Sequence, residues 1–390
     1  MPAAQGRSRS EPSSHDWGTV TVVFSDEHEE LRRILRGFFA DKASEAEVRR
    51  VMDTPQGFDS SLWRLMADQL GLPGLAVPEE FGGAGFDSLA LTVAFEEMGR
   101  ALLCAPFFSS VAMAATLLRV GGDREAQRDY LAQIASGTMI ATVALAEGAG
   151  RWDPAGISMT AARSAGQWSL TGEKTYVLDG CSADLILVVA RTPSGLSVFA
   201  VEASARTFIA KPLSTLDPTR KQARLVFDST PARLVGAEGS GWTPVSMMLD
   251  HAAICLAAEQ VGGAQKMLET TIEYARSRSQ FGQLIGSFQV IKHRCAELAV
   301  DLEAAKAALL YASWAAAEGA DDLPSAASLA KIRCSEVCSR TVLETIQIHG
   351  AIGFTWEHPA QLYFRRAKSS ELFLGDPSFH RALLAQHSGI

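Results

Sequence analysis

The sequence predicts an α+β chain in which an all-β module is inserted between two helical blocks. Three observations carry this. Apolar residues recur at helical spacing across residues 26–140, short β-branched and aromatic runs divided by Gly and Pro fill 141–235, and long Ala-rich periodic stretches return over 239–388. A chain of 390 residues has room for two or three domains of roughly 150 residues each. We therefore draw a tail at 1–24, an N-terminal all-α domain at 25–140, a middle β domain, sandwich or barrel, at 141–237, and a C-terminal α-helical bundle at 238–390.

Taken in order, residues 1–18 are rich in Ser, Arg and Pro without an apolar run, and read as a disordered tail rather than a signal peptide. From Glu29 to Phe39, apolar side chains at 31, 34, 35, 38 and 39 mark a helix face, and Phe58–Leu70 repeats the pattern. Gly71 to Gly85 is dense in Gly and Pro and reads as a long loop. Leu89–Met98, Val111–Val120 and Asp123–Ser136 read as further helices. Ala101–Leu118 carries no charge, but Pro106, Ser109 and Ser110 point to a turn and a buried helix, not a membrane span. Strands are expected at 141–145, 167–170, 185–189, 196–201 and 224–227, with turn residues between them. Trp242–Ala275 and Phe288–Glu318 exceed 25 residues, as helices of a bundle do.

Composition narrows the function. A net charge of −8 supplies no surplus of Lys and Arg for phosphates, which argues against nucleic acid. The six cysteines form no C-x-x-C pair, and the histidines show no ligand spacing, so no metal site is expected and the chain suits a reducing cytoplasm. Neither a phosphate-binding P-loop, a strand-borne G-x-G-x-x-G nor a G-x-S-x-G elbow is present.

Three stretches could carry chemistry. Thr341–Arg381 runs as a helix, breaks at Gly350 and Gly353, and resumes as a helix that stops at Leu374-Gly375-Asp376-Pro377. An acid at a helix stop beside a glycine-bearing loop suits a proton acceptor near an anionic cofactor, and equally suits two packed helices with an ordinary turn. Tyr274-Ala275-Arg276-Ser277-Arg278-Ser279-Gln280-Phe281-Gly282, followed by Gln289, places a forked guanidinium beside an aromatic. That pairing fits a pyrophosphate and a ring, or a basic helix C-terminus satisfying the macrodipole. The third is Ala146-Glu147-Gly148-Ala149-Gly150-Arg151-Trp152-Asp153 with Lys174-Thr175-Tyr176-Val177-Leu178.

These stretches resemble the acyl-CoA dehydrogenase family over about residues 25–388. Residues 274–282 are similar to its Y-x-x-x-R-x-x-F-G signature, Gln347–Phe354 to its Q-x-x-G-G-x-G-F segment, and Leu75–Gly85 to its P-E-E-Y-G-G-x-G loop. The resemblance implies an α domain, a β domain and a four-helix bundle, with FAD as cofactor. By it, Arg278, Gln280, Phe281 and Gln289 reach the FAD of a neighbouring subunit, and Gln347, Ile348, Gly350 and Ala351 receive its adenosine end. Backbone around Leu145, Glu147 and Val177 holds the flavin ring, and Tyr176 stacks on it. The family's two ring-edge hydroxyls are replaced by Ala146 and Leu178. The activity implied is formation of the α,β double bond of an acyl-CoA thioester, with an electron-transfer flavoprotein as acceptor and a homodimer or homotetramer as assembly.

One departure matters most. Both positions at which the family carries its glutamate base are apolar here, Leu374 and Ala252. The acids nearest to them are Asp376 and, as the alternative, Asp250. A non-catalytic or half-site subunit of a hetero-oligomer, and a flavin oxidase or monooxygenase of the same fold, are the alternative readings.

Overall fold

A computed structural model describes residues 23–205 and 207–390, so all of the expected tail but Val23 and Phe24 lies outside the described residues. The helical beginning is built from short, well-capped pieces: α1 (Asp26–Lys42), α2 (Glu45–Met52), α3 (Ser60–Asp68), α4 (Ser88–Ala101), α5 (Thr116–Gly121) and α6 (Arg124–Ala135). Ser25, Ser44, Asp59, Asp87 and Asp123 each accept a hydrogen bond from a first-turn N–H, satisfying donors that the helix leaves free. Helix α2 escapes the sequence pattern because its eight residues offer only two turns of periodicity. The uncharged run at 101–118 is broken by Leu102 at φ +50° and continues as a π-helical stretch, Phe108–Ala115, that is buried throughout. Among the described residues no helix is long and apolar enough to cross a membrane.

The middle of the chain forms β1 (Ala141–Ala144), β2 (Thr160–Ser164), β3 (Gln167–Leu178), β4 (Leu185–Thr192), β5 (Gly195–Glu202), β6 (Phe208–Pro212) and β7 (Gln222–Val235). Pairing runs β4–β2–β3–β7–β5 and returns to β4, so the module is a closed barrel, with β1 parallel to β4 and β6 antiparallel to β7. Closure removes the edges that a sandwich would leave. Strands β2 and β6 were not expected from the sequence because both are mostly exposed and carry no clean alternation.

The C-terminal part contains α7 (Trp242–Ser277), a hairpin of β8 (Ser279–Gln280) and β9 (Gln283–Leu284), α8 (Gln289–Glu318), α9 (Leu323–His349), the single turn α10 (Ala351–Phe354), α11 (Ala360–Leu372) and α12 (Pro377–His387). Helix α9 is central and packs on α7, α8, α11 and α12. Helix α4 crosses α7 so closely that a Cβ at Gly99 would strike the Glu259 carbonyl, and one at Gly262 the Glu96 carbonyl. One continuous apolar core runs through all three parts. A buried ion network pins them together: Arg366 of α11 meets Asp217 at 2.8 Å, Thr219 Oγ1 at 2.7 Å and Glu259 of α7, and Arg220 meets the same Glu259. Removing one member would strand a buried charge, which is far more damaging than losing a surface pair.

Candidate active site

The barrel and the α11–α12 corner border an open cavity of about 780 Å³. Tyr176 and Gln222 line it from the barrel, Trp152 from the loop after β1, and Phe373, Gly375 and Asp376 from the corner. Tyr176 is placed there by an irregularity. The β3–β7 register shifts between Lys174 and Val177, and Tyr176 takes φ +56° inside that shift. A non-glycine residue held there stores on the order of 1–3 kcal/mol and persists only where its surroundings fix it.

The fixing comes from Lys174, which is wholly buried and donates from Nζ to the Leu145 carbonyl at 2.9 Å and to Glu147 Oε1 at 2.8 Å. Burial pulls Lys174 down to about 8, partly offset by Glu147. Burial also pushes the Glu147 carboxyl up, but hydrogen bonds from Lys174, Ser158 and the Met159 N–H outweigh it and hold the group at about 2. The Glu147 side chain is thus committed to the loop's own structure. Ala146 between them is buried, and its N–H meets no acceptor among the described residues.

The corner is equally constrained. Leu374 sits at φ +62° and Gly375 at φ +103°. The Leu374 side chain points into the core, 2% exposed, so the family's first glutamate position supplies no polar group. Asp376 accepts from the Phe379 N–H at 2.7 Å and caps α12, while also lining the cavity. Beneath, the buried Lys331 ammonium donates to the carbonyls of Ser370 (2.9 Å) and Glu371 (3.1 Å), satisfying the end of α11. Burial, with the Lys331 charge, holds His380 down at about 4, so the ring is neutral near pH 7 and its Nε2 lies 3.1 Å from the Leu374 carbonyl. Phe373 packs edge-on to Trp152 (centroids 5.0 Å) and to Phe108 (5.8 Å), and the Arg220 guanidinium lies 5.2 Å from the Phe108 ring. This wall leaves only about 20 Å³ between itself and α4, room for about one water.

Asp250 lies on α7 away from the cavity. Burial alone pushes its carboxyl up to about 7, and it has no hydrogen-bond partner among the described residues. Ala252, the second glutamate position, is fully buried.

The remaining expected residues gather elsewhere. Arg278 caps α7 through its own N–H to the Tyr274 carbonyl, and its carbonyl accepts from Ile285 at 2.8 Å. Phe281 forms the hairpin tip at φ +53°, 92% exposed. Gln280, Gln289, Gln347, Gly350 and Ala351 are also exposed. A small apolar cluster of Ala275, Ile285 and Ile348 ties the hairpin to the end of α9. None of these residues lines the cavity. Of the predicted cofactor residues Tyr176 therefore lines the cavity, Leu145, Glu147 and Val177 lie in the barrel rim behind it, Ile348 is buried in the apolar cluster, and the others are exposed. Trp152, Gln222 and Phe373 join Tyr176 in the cavity wall without having been expected: Gln222 lies in a charged run of sequence, and nothing in its neighbours' composition signals that it faces a cavity.

A cavity walled by the Tyr176 ring and an unpaired Gln222 carboxamide fits the flat, polar-edged ring of a flavin, and the architecture is that of a flavin-dependent oxidoreductase. Sequence profiles for the N-terminal, middle and C-terminal domains of acyl-CoA dehydrogenases match residues 25–138, 142–230 and 239–389. The chain belongs to the acyl-CoA dehydrogenase family, whose members oxidise acyl-CoA thioesters with FAD. It is 36% identical over 352 residues to the acyl-CoA dehydrogenase IpdE2 of Mycobacterium tuberculosis, covering 90% of this chain and 94% of that one. Among solved structures it is similar to the Tcur3481–Tcur3483 steroid acyl-CoA dehydrogenase (TM-score 0.84, 32% identity, 94% and 99% of the two chains). It is likewise similar to the ChsE4–ChsE5 complex of Mycobacterium tuberculosis (TM-score 0.86, 28% identity, 95% and 99%).

Proposed function

We propose that the 780 Å³ cavity receives the flavin ring of FAD, and that an acyl-CoA is oxidised against it with Asp376 as proton acceptor and Asp250 as the alternative. The observation that carries this reading is the convergence of two strained corners, Tyr176 and Leu374-Gly375, on one cavity. When bound, the flavin supplies the acceptor for the β-hydride. The chain does the rest. Tyr176 stacks on the ring, the Ala146 N–H is left free for its polar edge, Leu145 and Glu147 shape the loop that carries that N–H, and Val177 holds the strand behind Tyr176 through its pairing with Ala223. One Asp376 oxygen is occupied by the Phe379 N–H, which leaves the other to take the α-proton. Trp152 and Phe373 keep water from the reacting carbons, which strengthens each charge interaction there.

The exposed residues act on a second subunit. Arg278, Gln280, Phe281 and Gln289, with Gln347, Gly350 and Ala351, present a guanidinium, amides and an aromatic outward, and the buried Ile348 anchors the end of α9 behind them. A pyrophosphate and an adenosine carried by a neighbouring chain answer that chemistry. The working unit is then at least a dimer. Apolar residues at both glutamate positions favour a second reading in which the neighbour is a different, base-bearing homologue and this chain provides a half-site. An electron-transfer flavoprotein as acceptor and a cytoplasmic setting complete the proposal.

The test is the visible spectrum of the purified chain before and after anaerobic addition of an acyl-CoA panel. Bleaching of a flavin band by one thioester is the expected result. A chain that holds FAD only when co-purified with a homologue would move the assignment to the half-site reading.

A further inference from the structure

Gln222 carries more of the site than its place in the sequence suggests. It opens β7 opposite Leu178 in the β3–β7 ladder, one of the two positions that lack the family's ring-edge hydroxyl. Its carbonyl accepts from the Leu213 N–H at 2.9 Å, which fixes the backbone from which the side chain projects. The residue is 9% exposed and lines the cavity, and among the described residues its carboxamide has no hydrogen-bond partner. Two other buried glutamines behave differently. Gln127 donates to the carbonyls of Leu118 and Arg119, and Gln260 bonds Ser335. Those two amides are satisfied within the protein, whereas the Gln222 carboxamide opens to the cavity and is free to pair with what enters it. Several other polar groups around the cavity have partners within the chain: one Asp376 oxygen accepts from the Phe379 N–H, Lys368 pairs with Glu371, and Arg151 pairs with Asp153.

We infer that Gln222 is a cofactor-contacting residue whose carboxamide pairs with the imide edge of the flavin ring, replacing the hydroxyls absent at Ala146 and Leu178. A carboxamide offers a donor and an acceptor side by side, and the imide offers an N–H flanked by carbonyls, so the two can form paired hydrogen bonds. An aliphatic or purely accepting side chain at this position could not do so. The inference rests on the flavin ring lying in this cavity.

The test reconstitutes the FAD-stripped protein with FAD or with N3-methyl-FAD and measures dissociation constants by flavin fluorescence. Gln222→Ala is expected to weaken FAD binding about 10-fold. N3-methylation should weaken wild type by a similar factor and the variant hardly at all, because both changes delete the same contact. Gln222→Glu should bind FAD with a lowered reduction potential, since a carboxylate opposes the negative charge that the ring gains. An equal N3-methyl penalty in wild type and Gln222→Ala, or an unmoved potential in Gln222→Glu, overturns the inference. Tyr176→Ala separates the two levels. If it weakens FAD binding while Gln222→Ala does not, only the role of Gln222 fails. If neither variant changes binding, the ring lies elsewhere and the placement under Proposed function fails with it.

Discussion

Tyr176 and Phe281 are both aromatic residues in left-handed backbone, at φ +56° and φ +53°, yet their surroundings are opposite. Tyr176 is wedged into a register shift of the barrel wall, with the buried Lys174 next to it in the ladder and a cavity in front of it. Phe281 stands 92% exposed at the tip of a two-residue hairpin turn beside Gly282, with the Phe288 ring edge-on at 6.2 Å. Positive φ at both central residues is what a tight hairpin requires, but Asn, Asp or Gly usually supplies it. A phenylalanine gains nothing from that turn. It gains about 1.5–3 kcal/mol if an external surface buries it. The comparison separates a half of the site completed by its own chain from a half completed from outside.

Experiments that break this comparison can be ranked by expected effect. The largest concerns the cavity half. Asp376→Asn keeps an N-capping oxygen, so the melting temperature should stay within a degree or two, while turnover falls by roughly 10²–10⁴ if the carboxylate is the base. Asp250→Asn should leave turnover nearly intact. Burial pushes Asp250 to about 7, so a base there would set the acid limb of the kcat/KM profile near pH 7, and an observed limb at that pH would transfer the role to it.

Next is the exposed half. Arg278→Ala removes an exposed side chain without an intramolecular ion pair among the described residues, so thermal stability should hold while the affinity for FAD falls by about 10- to 100-fold, read as FAD retained through gel filtration. Stability and FAD retention falling together would show Arg278 to be a structural cap instead.

Tyr176→Gly sharpens the contrast between strain and function. Releasing the left-handed backbone should raise the melting temperature by a few degrees, while loss of the stacking face weakens flavin binding about 10-fold. A variant that loses both would mean that the ring itself holds the barrel together.

The smallest effect is electrostatic. The Glu147 carboxyl is held at about 2 in the fold, below its ordinary 4.5, so its contribution to stability is complete above pH 4.5 and is lost as pH falls toward 2. Acid unfolding of Glu147→Gln should be shallower than that of wild type over that window.

Much of the fold is legible in the sequence because its signals are local and repeated. The long Ala-rich periodic stretches of α7 and α8, the helix faces of α1 and α3, and the Gly- and Pro-divided strands follow from periodicity and turn chemistry. Elements without such a signal were missed: α2 is too short, and β2 and β6 are too exposed. The Arg278 and Gln347 segments were legible by resemblance. That the barrel closes, and that Asp376 caps a helix while facing a cavity, were not.

What the sequence by itself determined is the order of helical, β and helical blocks, the absence of a strongly basic surface, and the apolar character of both glutamate positions. These depend on which residue occupies each place. The tertiary structure alone decided that a bulge turns Tyr176 toward the corner at Leu374, that Gln222 faces the cavity with no partner among the described residues, and that Asp376 lines the cavity while Asp250 does not. Such facts depend on pairing register and helix contact between residues far apart in the chain. A shift of one residue in a strand reverses which side chains face the cavity, and no local pattern encodes that choice.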